Sequence, residues 1–239
     1  MEEASQAACA GLAHLPEGLV TLDVSHTHIT SKGFRHLSRL SQLRELTLSS
    51  IGPMLPSSLE MLDISHCKKG NFVDQLKARA DDLESKRLYH IPWPASLKRL
   101  RLQGYTLALG LLYEFPPLLD MLDISSCELQ PHTANFGACL PHLRLLIADY
   151  AKLPTFRSPR SHTDRRPPPG LWSLPSGLQG LHLTACAVGN RWDLLAFLPA
   201  SITHLNLSCT DLAEDQCSLE AQGWSDPFMN TICQRLPKL

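Results

Sequence analysis

A short segment with the spacing L-x-x-L-x-L recurs along the chain, and it constrains the fold more than any other feature. One copy is LPSSLEMLDISHC, which begins at Leu55, and related copies such as LPEGLVTLDVSHT and FPPLLDMLDISSC occur before and after it. A single copy cannot bury its own apolar side, so such segments form stable structure only when neighbouring copies stack on one another. The fold must therefore be built by repeating this unit.

Eight units align on the template L-x-x-L-x-L-x-x-N/C-x-L. Their first positions are Leu19, Leu43, Leu59, Leu97, Leu119, Leu143, Leu178 and Ile202. The fourth position is leucine in every unit, and the sixth is apolar throughout, from Val24 in the first unit to Leu207 in the last. Apolar residues at alternate positions predict a short strand with one buried face, while the residues between them point outward.

This pattern resembles the leucine-rich repeat family, and the resemblance covers residues 15–239. It implies an α/β fold, a leucine-rich repeat solenoid curved like a horseshoe, with parallel short strands on the concave face and helices or loops on the convex face. We expect a single domain over residues 1–239, with residues 1–14 as an N-terminal cap and a loop insertion at residues 155–170.

Two further expectations concern the segments that follow each strand. The family usually has asparagine at the ninth position, where its side chain satisfies backbone groups; here threonine and cysteine can do so only weakly, and Ile51 and Ala151 cannot. Convex helices are predicted over residues 31–40, with Phe34, Leu37 and Leu40 inward, over residues 71–88, over residues 190–198 and from residue 225 onward.

Composition excludes several classes of function. The chain carries 22 basic and 23 acidic residues, so it lacks the basic excess of a nucleic-acid-binding protein, and no direct nucleic acid contact is expected. No apolar run is long enough to cross a membrane, and the start MEEASQAACAG does not resemble a secretory signal. The eight cysteines form no CxxC pair, which favours free thiols in a reducing compartment. We expect a cytoplasmic location, with a cytoskeletal or organellar assembly left open.

The family resemblance implies that the concave strand face binds partners. Outward side chains at positions five, seven and eight, which recur in every unit, are the candidate partner-binding residues: Asp23, Ser25, His26, Asp63, Ser65, His66, Arg101, Asp123, Ser125, Tyr150, His182 and Asn206. The motif Leu-Asp-[Val/Ile]-Ser occurs in three units and predicts a ladder of Asp and Ser that favours a basic or hydroxyl-rich partner surface. The alternative is that these residues are solvated filler, with Arg101 neutralising the aspartates on either side.

No catalytic function is expected. The sequence contains no nucleophile elbow, P-loop, dinucleotide fingerprint or HExxH motif. No cofactor is implied, and His26 and His66 lack the ligand spacing of a metal site. The leading interpretation is a non-catalytic protein-interaction module or scaffold, and the partner's identity is not encoded in the pattern.

Two alternatives stay open. The chain could be a structural subunit of a large cytoskeletal or ribonucleoprotein assembly, or the substrate-recognition adaptor of a ubiquitin ligase. The final residues LPKL match the opening of another unit, so we expect the C-terminal edge to be covered by a partner or by further repeats.

Overall fold

A computed structural model of the chain describes residues 10–27, 29, 31–49, 55–65, 93–107, 111–129, 136–153, 174–190, 198–213, 232 and 234–239. The chain divides into two compact units. The first unit comprises Met1–Tyr105 and Glu114–Asp123, and the second comprises Thr106–Tyr113 and Ile124–Leu239.

Short strands dominate the described residues. In chain order they are β1 (Thr21–Val24), β2 (Glu45–Leu48), β3 (Met61–Asp63), β4 (Arg99–Arg101), β5 (Thr106–Leu107), β6 (Met121–Asp123), β7 (Glu128–Leu129), β8 (Leu145–Ile147), β9 (Gly180–His182), β10 (Ala187–Asn190), β11 (His204–Asn206) and β12 (Asp211–Ala213). The helical segments are α1 (Ser31–Leu37), a 3-10 helix (Leu111–Glu114) and α2 (Phe136–Cys139).

Strands of successive repeats pair in parallel and in register. In the first unit β1, β2, β3, β4 and β6 lie side by side, which aligns the position-four leucines from Leu22 to Leu122. In the second unit β8, β9 and β11 do the same with Leu146, Leu181 and Leu205. Each of these strands begins two residues after the first position of a repeat, so the leucine column of the sequence is a physical row in the structure.

These leucines form the core. The position-four leucines of β2, β3, β4, β6, β8 and β9 are at most 1% exposed, and burial of each contributes roughly 1.5–3 kcal/mol. Leu22 and Leu205 are half-buried instead, because each lies on a strand with one neighbour among the described strands of its sheet.

A tight turn precedes most of these strands. In six repeats a proline carbonyl accepts a hydrogen bond from the N–H of the first-position residue three places on, at 3.0–3.3 Å, and these prolines are Pro16, Pro56, Pro94, Pro116, Pro175 and Pro199. Proline fixes its own φ and has no N–H to leave unpaired, so it restricts the chain where it enters the turn. The recurring Pro-x-x-Leu or Pro-x-x-Ile motif therefore forms the turn that leads into the strand in these six repeats.

A second turn ends each strand, at position eight of the repeat. Every described residue at that position has a left-handed backbone, with φ of 54–75°, and these residues are His26, Gly104, Ser126, Tyr150, Ala185 and Cys209. For residues other than glycine this conformation costs on the order of 1–2 kcal/mol. In the second unit the N–H groups of Ser126, Tyr150 and Ala185 donate to the position-seven carbonyl of the next repeat at 2.7–2.8 Å, which offsets that cost. Position eight is thus a turn residue, whereas the sequence predicted an outward residue of the strand face.

Position nine connects neighbouring repeats through side-chain donors of three kinds. The Tyr105 hydroxyl donates to the Ile64 carbonyl at 2.8 Å, the Cys186 thiol to the Ala148 carbonyl at 2.8 Å and the Thr210 hydroxyl to the Leu183 carbonyl at 2.7 Å. In each case the acceptor is the sixth-position carbonyl of the preceding repeat. Burial raises the pKa of the Cys186 thiol, which keeps it protonated and able to donate. The role of the family's asparagine is therefore shared among hydroxyl, phenol and thiol groups.

The sequence predicts helices or loops after position nine, but short strands also occur there. Short strands pair there in parallel, β5 with β7 and β10 with β12. The helix predicted for the first repeat is present as α1, and Phe34, Leu37 and Leu40 are buried as expected. No helix among the described residues could cross a membrane. The helices predicted at residues 71–88 and 190–198 and the loop predicted at residues 155–170 lie outside the described residues, apart from the ends at residues 190 and 198.

The start of the described chain is a helical turn over residues 10–13. The Arg39 guanidinium donates to the carbonyls of Leu12, at 3.2 Å, Ala13 and Leu15, at 2.8 Å. Carbonyls at the end of a helix lack intrahelical partners, so a guanidinium there supplies the missing donors. Arg39 thereby attaches the N-terminal segment to the first repeat.

The Tyr105→Phe variant tests the position-nine hydrogen bonds. Removing the hydroxyl leaves the buried Ile64 carbonyl without this donor, and we expect a loss of about 1–3 kcal/mol in the free energy of unfolding measured with urea. Tyr150→Phe is the matched control, since Tyr150 is 65% exposed, and it should change stability by less than about 0.5 kcal/mol. Equal unfolding midpoints for the two variants would show that the Tyr105 bond contributes nothing.

Candidate functional site

The candidate site is the outward face of the strands, where the side chains at positions three and five point away from the leucine core. In the first unit the position-five side chains form one row in register, and these residues are Asp23, Thr47, Asp63, Arg101 and Asp123. The row brings together three acidic residues and one basic residue that are far apart in the sequence.

Two of the three aspartates in this row expose little surface. Asp63 is 8% exposed and Asp123 is 6% exposed. The Oδ1 atom of Asp63 accepts a hydrogen bond from the Ser65 backbone N–H at 2.9 Å, and that of Asp23 accepts one from Ser25 at 2.8 Å. A short acceptor two residues before an N–H that has left the strand ladder is an Asx turn. The Leu-Asp-[Val/Ile]-Ser motif therefore builds the end of the strand as well as its surface.

The same turn occurs with other acceptors in the second unit. The Asn206 Oδ1 accepts from the Ser208 N–H at 3.0 Å, in the same way as the aspartates of the first unit. The Asp149 Oδ1 accepts from the Thr184 N–H of the next repeat at 2.8 Å. Several of the outward acidic and amide groups are thus already engaged in holding the backbone.

Arg101 is the basic residue of the position-five row. Its Nη1 lies 3.7 Å from the Asp63 Oδ2, and its backbone is in register with Asp123, whose Oδ2 accepts from Gln103 Nε2 at 3.4 Å. The predicted neutralisation by Arg101 is therefore seen with Asp63. The Arg101 Nε and the Ser65 Oγ are both buried and have no hydrogen-bond partner within the described part of the chain.

A set of ion pairs lies next to this row, at positions two and three, and sequence reasoning missed it. Lys98 Nζ is 3.1 Å from Glu60 Oε2, and Arg44 Nε is 3.9 Å from Glu60 Oε1. Arg99 Nη2 is 2.8 Å from Glu45 Oε1, across the intervening strand β3. The available signal was the alternation of sign at position two, which reads Arg, Glu, Lys, Asp from the second repeat to the fifth.

These pairs lower the pKa of one carboxyl group. The hydrogen bond and the charge of Lys98, with smaller contributions from Arg44 and Arg99, lower the pKa of Glu60 below its ordinary value. Because the pKa is lower in the folded state, the stabilisation is complete above the unfolded pKa of about 4.3 and is lost as the pH falls through the folded pKa.

The outward face of the second unit is less charged. Its position-five residues Ile147, His182 and Asn206 are in register, as are Leu145, Gly180 and His204 at position three. A methyl group on Gly180 would meet Leu145 Cδ1 at 2.6 Å, so the glycine leaves room for the neighbouring leucine.

The twelve candidate residues are thus distributed over both units. Seven belong to the first unit and four to the second, where Ser125 and His182 are half-buried and Tyr150 is exposed. His66 lies outside the described residues. The His26 N–H donates to the Ser49 hydroxyl of the next repeat.

No group of three His, Cys, Asp or Glu side chains that could hold a metal ion occurs among the described residues. Cys127, Cys139, Cys186 and Cys209 form no disulfide bond among the described residues.

The in-register parallel strands, the buried leucine row and the position-nine hydrogen bonds recur from repeat to repeat. The chain has the leucine-rich repeat fold. Neither a protein-family profile nor a curated protein sequence matches it.

Solved structures with the leucine-rich repeat fold are similar to this chain. An internalin from Listeria monocytogenes shares 14% identity over 82% of this chain, with a TM-score of 0.47. YopM from Yersinia enterocolitica shares 22% over 83%, with a TM-score of 0.41. A chain of an octameric complex of Latrophilin 3, Unc5D and the leucine-rich repeat protein FLRT2 shares 14% over 94%, with a TM-score of 0.42. The matches span 48%, 39% and 74% of those chains. Likenesses this remote transfer no residue role and no partner.

The Glu60 ion pairs can be tested by titration. We expect the Glu60 carboxyl, followed by NMR, to titrate below its ordinary value of about 4.3, and the Lys98→Ala variant to move its pKa upward toward that value. Lys152→Ala is the control, because Lys152 pairs with Glu128 and not with Glu60. A Glu60 pKa that is the same in the wild type and in Lys98→Ala would contradict the assignment.

Proposed function

We propose that the chain is a non-catalytic protein-interaction module, or scaffold, that binds a partner protein through the outward face of its parallel strands. One observation supports this most directly: the strands are parallel, yet several of their outward side chains are exposed to solvent. Parallel sheets are usually covered on both faces. Here the side chains of Glu45, Arg99 and Arg101 are 40–44% exposed.

The regular spacing of the strands makes this face suitable for recognition. Neighbouring strands lie about 4.8 Å apart, and outward residues of one strand recur about every 6.6 Å. The inward leucines fix each strand, so the outward side chains stand on a rigid support and little freedom has to be lost on binding. Such a grid of side chains can match another protein surface without rearrangement.

A blocking experiment tests the proposal. Thr47→Trp in the first unit and His182→Trp in the second each place a large side chain at position five, where both wild-type residues are half-buried and point outward. Affinity purification of the tagged chain from cells, followed by mass spectrometry, should show partners captured by the wild type that are lost with one or both variants.

The control places the same side chain elsewhere. Glu128→Trp and Lys152→Trp lie where β7 meets the next repeat, and both residues are exposed. These variants should keep the partners. Loss of partners in the control set alone, or in neither set, would contradict binding through the outward strand face; circular dichroism and urea unfolding verify that all variants are folded.

A reducing compartment is part of the same proposal. It is supported by the buried thiol of Cys186 and the exposed thiol of Cys209, which form no disulfide bond among the described residues. Fractionation of cells that express the tagged chain should place it in the cytoplasm, or in a cytoskeletal or organellar assembly. Recovery of the chain from the secreted fraction with these thiols oxidised would contradict this location.

A further inference from the structure

Two aspartates on the outward face of the first unit lie deeper than the basic side chains beside them. Asp63 and Asp123 are buried, and their carboxylates accept hydrogen bonds from the Ser65 N–H and from Gln103 Nε2, respectively. The cationic side chains beside them are more exposed: those of Lys98, Arg99 and Arg101 are 54%, 44% and 41% exposed. An approaching molecule therefore meets the cations first, although the sequence of the row is mostly acidic.

The exposed balance over strands β2 to β4 is basic. The cations Arg44, Lys98, Arg99 and Arg101 outnumber the carboxylates Glu45, Glu60 and Asp63 by four to three, and these residues make the ion pairs of the patch. Of the three carboxylates, Asp63 has little exposed surface. We name this set the basic patch. Asp23 on β1 and Asp120 ahead of β6 border the patch on either side.

The two arginines of β4 retain unused donors. A guanidinium carries five N–H donors. The ion pair of Arg101 with Asp63 is long, at 3.7 Å, and is made through Nη1. Arg99 pairs with Glu45 through Nη2. Arginine binds carboxylates best through two parallel N–H groups, so donors remain for a further carboxylate at each residue.

The surroundings of Arg99 add an apolar component. Met61 and Met121 occupy the same outward position on the two neighbouring strands, in register with Arg99, and both are half-buried. Thioether side chains adapt to irregular contacts. A partner that covers them also removes water from the arginines, which strengthens an ion pair formed there.

We propose that the basic patch binds an extended acidic segment of the partner protein that has carboxylates at alternate positions. Arg99 and Arg101 are two residues apart on one strand, which separates their outward positions by about 6.6 Å. Glutamates or aspartates at alternate positions of an extended segment are separated by about the same distance on one side. The match in spacing and the complementary charge select this occupant. The inference rests on the proposed function and specifies its partner, and it is an alternative to the basic or hydroxyl-rich partner surface expected from the Asp and Ser ladder.

The test uses synthetic peptides and the intact chain. The probe is a fluorescent peptide of about eight residues with glutamate at alternate positions; matched peptides replace every glutamate with glutamine, lysine or phosphoserine. Fluorescence anisotropy should show binding of the glutamate peptide that weakens as NaCl rises from about 50 mM to about 500 mM. The glutamine and lysine peptides should bind at least about tenfold more weakly.

Variants locate the binding. Arg99→Gln combined with Arg101→Gln should weaken binding of the glutamate peptide by about tenfold or more, since two charged partners are lost. Arg101→Lys keeps the charge but loses the paired donors, so it should fall between the wild type and the double variant. Lys152→Gln combined with Lys238→Gln removes two exposed cations elsewhere and should leave binding unchanged. Urea unfolding of each variant shows whether the loss of the Arg101 pair with Asp63 disturbs the fold, and Arg99→Gln alone provides the test that leaves this pair intact.

Several outcomes would overturn the inference. They are equal binding of the glutamate and glutamine peptides, preference for the lysine peptide, binding of the phosphoserine peptide alone, and equal losses in the Arg99/Arg101 and Lys152/Lys238 variants. The proposed function is judged separately by the capture of cellular partners. If Thr47→Trp removes those partners while no glutamate peptide binds, the outward face is an interaction surface and only the acidic partner is wrong.

Discussion

The parallel register of one strand against the next is the constraint on which the rest of the structure depends. With register fixed, Leu62, Leu100 and Leu122 fall in one row and are buried by one another, although none of their repeats could bury its own leucine. A slip of one residue would turn these leucines outward and the arginines of β4 inward. Register is held at both ends of the strand, by the Pro-x-x-Leu turn before it and by the left-handed residue after it. The alignment of the outward side chains is a consequence of this arrangement.

Hydrogen bonds from side chains to carbonyls reinforce the register at fixed positions. Besides the position-nine donors, the serine just before the first position donates to the first-position carbonyl of the preceding repeat: Ser58 to Leu43 at 2.7 Å, Ser96 to Leu59 at 2.6 Å and Ser201 to Leu178 at 2.6 Å. Each of these bonds contributes on the order of 1 kcal/mol. Their larger effect is on specificity, because a carbonyl at the boundary between repeats would otherwise be left without a partner on burial.

The sequence was sufficient to predict the strands and their burial, because leucine at position four and apolar residues at position six recur without exception and the period of a strand is two. It could not show that position eight is left-handed, since histidine, serine, tyrosine, alanine and cysteine share no propensity for that conformation. Nor could it show that Tyr105 takes the place of asparagine, because its hydroxyl reaches a carbonyl 41 residues earlier in the chain. Local pattern fixed the strands, whereas the turns depend on contacts between repeats.

The exposed charge of the candidate site also could not be predicted from the sequence. In sequence, Asp63 and Asp123 are outward residues and read as an acidic surface. In the structure the Asp63 carboxylate accepts a hydrogen bond from the Ser65 N–H at the end of its own strand. The carboxylate takes the place of water as the acceptor for this N–H. Arginine at the same position has no acceptor atom and cannot make this turn, and the Arg101 side chain is 41% exposed. Asp63 and Asp123 therefore lie deeper than Arg101. The formal charge of a row of residues does not give the charge that a partner meets, and the exposed ends of the longer side chains decide it.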